Sequence, residues 1–71
     1  MSDKEIVNLL LKDRIFLESI ESEFGKVKEI WADWTNNRLI YDLLSGSQKF
    51  SVLTDLIDSV KKSGYVQENY H

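Results

Sequence analysis

Carboxylates are the side chains best equipped for chemistry in this 71-residue chain, twelve of them against nine lysines and arginines. Two carboxylates can share general acid-base work when a cleft drives their pKa values apart. On facing helices they can also hold two metal ions, provided Glu-x-x-His pairs complete the ligand set. No Glu-x-x-His pair occurs here, and the single histidine, His71, is the last residue. Without cysteine there are no disulfides and no thiolate metal sites. A domain of this length also has little room to enclose a cleft. The sequence therefore assigns no catalytic, cofactor-binding or metal-ligating residue, and the chain is expected not to be an enzyme.

Binding chemistry is better represented. Trp31, Trp34 and Tyr41 fall within one stretch, VKEIWADWTNNRLIYDLL, from Val27 to Leu44. Tryptophan and tyrosine are enriched at the energetic centres of protein interfaces, so these three are candidate partner-binding residues. Glu18, Glu21 and Glu23 crowd the end of the preceding apolar segment, where negative charge opposes a helix dipole. They form a candidate acidic face for a basic partner. A net charge of −3 and basic residues scattered in ones and twos argue against nucleic acid, which calls for a basic patch. One outline still admits it: residues 38–63 read as helix, Ser-Gly-Ser turn, helix. There Gln48, Lys49, Ser51 and Thr54 would be the groups facing DNA in a helix-turn-helix.

These residues need elements to position them. Ser2-Asp3-Lys4-Glu5 fits a capping box, so a helix is expected from residue 3. The stripe Ile6, Leu9, Leu10, Phe16, Leu17, Ile20 and Phe24 carries it toward Gly25. Asp13 interrupts that stripe, and either caps a second helix or sits in one long helix protruding into a dimer. Val27, Ile30, Trp31 and Trp34 recur at i, i+3, i+4 and i+7, the spacing of a helical face. Thr35-Asn36-Asn37 would then cap a short helix over 38–44. The competing reading joins two strands at Asn36-Asn37, giving an α+β chain with a hairpin at 28–44. A last helix over 48–63 follows from Phe50, Leu53, Ile57 and Val60 on one stripe, with Gly64 as its stop.

The sequence thus predicts one all-α domain over residues 1–71, with a flexible tail from about residue 67. Three to four helices, about 3–24, 27–35, 38–44 and 48–63, would pack as a small bundle. So short a chain buries little surface, and dimerisation would complete its core. The expected function is a small acidic protein-interaction module, a regulator, inhibitor or assembly factor, forming a homodimer. The alternative is a helix-turn-helix transcriptional regulator. No stretch approaches the ~20 apolar residues of a membrane span, and no secretory signal is recognisable. A cytoplasmic location is expected.

Overall fold

A computed structural model of the chain describes residues 1–65. The tail expected from about residue 67 lies outside them. In chain order the elements are α1 (Asp3–Lys12), α2 (Arg14–Phe24), β1 (Val27–Asp33), β2 (Arg38–Leu43), β3 (Gln48–Val52) and α3 (Leu53–Lys62). The expected all-α bundle is therefore corrected to an α+β fold with an antiparallel sheet of strand order β1-β2-β3.

The first two helices follow from local chemistry. Ser2 Oγ accepts from the Glu5 amide (3.2 Å), and Glu5 Oε1 accepts from the Ser2 amide (2.8 Å), closing the capping box. Asp13 then breaks the helical run: its backbone is extended, and its Oδ1 accepts from the amides of Ile15 (2.8 Å) and Phe16 (3.3 Å). The aspartate that interrupts the apolar stripe is thus the N-cap of α2, and the segment 3–24 is two helices rather than one.

The helices expected over 27–35 and 38–44 are instead a β-hairpin, and the reason lies in one residue. Val27 pairs with Leu43 and Glu29 with Asp42, leaving Lys28 as the extra residue of a bulge. A bulge shifts the phase of a strand, so Val27 and Ile30, three residues apart, point to the same face. Three-residue spacing is the mark of a helix, and here a bulge produces it. The partner strand carries the undisguised strand pattern: Leu39, Tyr41 and Leu43 are buried, while Arg38, Ile40 and Asp42 alternate with them.

The helix expected over 48–63 also loses its start, because Gln48–Val52 is strand β3. Gly46, with φ 99°, completes a three-residue hairpin loop, its amide donating to Leu43 O at 2.9 Å. With strands at 38–43 and 48–52, the helix-turn-helix expected over residues 38–63 is not formed. One buried cluster joins Ile6, Val7, Leu10 and Ile20 to Leu39, Tyr41 and Leu43 of the sheet and to Leu53, Ile57 and Val60 of α3. Since the buried residues of β2 all point one way, the helices cover one face of the sheet and leave the other open. No helix among the described residues is long and apolar enough to cross a membrane.

Candidate functional site

The three aromatic candidates do not share a surface. Tyr41 is fully buried, stacked on Phe24 with ring centroids 5.8 Å apart, and its hydroxyl is 2.8 Å from Ser51 Oγ. Burial pushes its pKa up, against a smaller opposing effect of the Ser51 hydrogen bond. Tyr41 is a core residue. Trp34, 40 % exposed, lies in the β1–β2 turn with the Lys4 ammonium 5.9 Å from its ring. Trp31 is half-buried and pairs with Ile40, which puts it on the open face of the sheet.

That face is where the exposed apolar surface gathers. Ile40 of the central strand is flanked by Trp31 on one side and Phe50 on the other, a row running straight across the three strands. Phe50 is 52 % exposed, and Val52 beyond it is also exposed. Arg38 lies over the Phe50 ring at 5.1 Å and reaches Asp33 Oδ2 at 3.6 Å. Stacking on the ring and pairing with the carboxylate fix its guanidinium on one side of the row. Asp33 is in turn held below the usual carboxylate range, chiefly by the Asn36 side chain and amide, with Arg38 contributing less. Asn36 donates to it through Nδ2 (2.9 Å) and N–H (3.2 Å), closing the turn.

The other side of the row is acidic. Glu29 of β1 stands directly opposite Asp42 of β2, on the same open face. Like charges placed opposite one another in a ladder repel, and neither carboxylate has a basic partner among the described residues. The face thus presents an aromatic and aliphatic stripe, flanked along the strands by a guanidinium on one side and two uncompensated carboxylates on the other.

Two of the three acidic candidates on α2 are already engaged. Glu18 pairs with Arg14 (3.6 Å), and Glu21 accepts from the Val27 amide (2.9 Å) while reaching Lys26 (3.8 Å). Glu21 is therefore a connector that ties the end of α2 to the start of β1, and Glu23 is exposed nearby. The groups considered for DNA are also separated from their expected roles. Gln48, Lys49 and Ser51 lie on β3, Ser51 bonded to Tyr41, whereas Thr54 in the first turn of α3 is bonded to Asn37. Among the described residues no group of three or more His, Cys, Asp or Glu side chains is placed to hold a metal ion.

Ile40, Phe50 and Arg38 did not stand out in the sequence. The signal for Ile40 is its offset from the buried alternation Leu39, Tyr41, Leu43. Phe50 lies on a helical stripe with Leu53 and Ile57 by coincidence, since the strand ends and the helix begins between it and them. No protein-family model, no curated protein and no solved structure matches this chain.

Proposed function

We propose that this chain is a non-catalytic protein-interaction module that docks, on its open sheet face, an apolar segment carrying a lysine or arginine. The observation that supports this is the Trp31-Ile40-Phe50 row on the side of the sheet away from the helices. An apolar stripe of this kind, rimmed by charge, is the surface pattern of binding sites. The uncompensated Glu29 and Asp42 specify the sign of what lies beside it. A cation from the partner would relieve their repulsion while its apolar neighbours cover Ile40. A regulator, inhibitor or assembly factor in the cytoplasm fits this reading, a location consistent with a chain that uses no cysteine.

Photo-crosslinking in cells tests it, with benzoylphenylalanine replacing Trp31 on the open face or Glu18 on the helical side. The expected result is an adduct with another protein from position 31, lost when Ile40→Asp is added. That adduct should map to a segment containing lysine or arginine, and Glu29→Gln with Asp42→Asn should weaken it. An adduct from position 18 alone, or none from position 31, would overturn the proposal.

A further inference from the structure

The free edge of β3 carries a second, separate opportunity for binding. Two hydrogen bonds bracket the β2–β3 ladder: Leu43 N–H to Ser47 O, and Leu53 N–H to Asn37 O, both 2.9 Å. Antiparallel ladders alternate, so Ser47, Lys49, Ser51 and Leu53 turn their backbone groups toward β2. Gln48, Phe50 and Val52 must then turn theirs outward. The helices leave this margin uncovered: Gln48, Lys49, Phe50 and Val52 are all exposed, although Lys49 lies on the helical side of the sheet.

We propose that β3 pairs antiparallel with β3 of a second copy of this chain, in a register centred on Phe50, giving one six-stranded sheet. Three features of the edge select this occupant. First, the outward set maps onto itself about a two-fold axis. Phe50 faces Phe50 of the second copy in a doubly hydrogen-bonded pair, and the Val52 amide meets the Gln48 carbonyl on each side. Second, charge chooses among registers. Centring on Phe50 sets each Lys49 opposite Ser51 of the other copy, whereas centring on Lys49 would set two lysines face to face. Third, the contact continues an apolar surface, because the row Trp31-Ile40-Phe50 runs on into Phe50-Ile40-Trp31 of the second copy.

The assembly also closes. An isologous contact consumes the β3 edge of both chains. The outer edges that remain are β1 strands, where the bulge at Lys28 interrupts regular pairing. Two copies, not a fibre, are the product. The proposal rests on the backbone of β3 and is independent of what the open face docks.

The test measures molar mass by light scattering over a wide range of concentration, together with amide hydrogen exchange of the full chain. A dimer is expected, with the Phe50 and Val52 amides gaining protection as concentration rises while the Ala32 amide, which turns outward on the β1 edge, does not. Gln48→Pro removes an outward N–H at the first position of an edge strand, where proline is tolerated. It should weaken the dimer at least about tenfold, equivalent to ~1.4 kcal/mol, with circular dichroism unchanged. A monomer at every concentration would overturn the proposal. So would a dimer in which the Phe50 and Val52 amides exchange as freely as in dilute solution. Should Gln48→Pro fail to fold, the exchange of these two amides in the native chain still decides the matter.

Discussion

Asn37 links more of the structure than its type suggests. Its backbone is left-handed, with φ 58°, a conformation asparagine tolerates better than most residues. Its side chain reaches across to α3, whose own N-cap, Val52, has no side chain able to cap. Asn37 Oδ1 accepts from the Thr54 amide (3.1 Å), and Nδ2 donates to Thr54 Oγ1 (3.0 Å), so the hairpin turn caps a helix seventeen residues further on. Two replacements separate the two duties. Asn37→Gly keeps the left-handed backbone and loses the cap, at a cost of about 1 kcal/mol. Asn37→Ala loses the cap and also strains the turn, for roughly 2–3 kcal/mol in all. Urea unfolding of the two variants should reproduce that order, and equal losses would show that backbone strain at this turn is negligible.

At the scale of elements, the two faces of the sheet should respond differently to truncation. Leu39 is fully buried beneath the helices, so Leu39→Ala leaves a cavity and should cost about 2–5 kcal/mol. Phe50 has half its surface in water on the uncovered side, so Phe50→Ser should cost under ~1.5 kcal/mol despite the larger side chain removed. Denaturant midpoints for the two variants, measured on dilute protein so that no β3–β3 contact contributes, would check the asymmetry, and a larger loss for Phe50→Ser would mean that its face is covered within the fold. The same two faces explain what was legible in the sequence. The capping box at Ser2 and Glu5 and the capping chemistry of Asp13 are local signals, and both are realised. The hairpin at 28–44 is legible as a competing pattern through Asn36-Asn37. It was obscured because the Lys28 bulge gives Val27 and Ile30 helical spacing, and a bulge is defined by its partner strand, which no local window contains. The β3 strand was hidden for a related reason: Phe50 and Leu53 serve different elements, and their shared stripe is accidental. The candidate site suffered accordingly. Without the sheet, the sequence offers Tyr41 as a partner-binding residue as readily as a core one, gives no reason to single out Ile40, and sets Phe50 on a helical stripe.

For the whole molecule, a single hydrogen bond couples stability at the two ends of the pH scale. Tyr65, after the last helix, donates its hydroxyl to Asp13 Oδ2, at the junction of the first two. That bond is the main cause holding the Asp13 carboxyl below its ordinary range, with the Phe16 and Ile15 amides adding to it, and the main cause pushing the Tyr65 phenol above its own. The signs are opposite in consequence. A carboxylate whose folded pKa is depressed contributes stability that is present above its unfolded value, about 4, and lost as pH falls through the folded one. Glu5, lowered by its capping box with Ser2, and Asp33, lowered by Asn36, act in the same direction. A phenol whose folded pKa is raised contributes stability that is present below its unfolded value, about 10, and lost as pH climbs through the folded one. Tyr41, raised mainly by burial, adds to this alkaline limb. Thermal unfolding between pH 2 and 11 should therefore show a plateau from about pH 5 to 9 with a fall on either side. Tyr65→Phe removes the shared bond, so it should lower the plateau and shallow both falls at once. Asp13→Asn should shallow the acid fall too while keeping most of the cap, because asparagine caps a helix about as well as aspartate. If Tyr65→Phe leaves the acid limb untouched, the Asp13 carboxylate is stabilised by the α2 amides alone, and the contact that joins Tyr65 to the junction of α1 and α2 carries no energy.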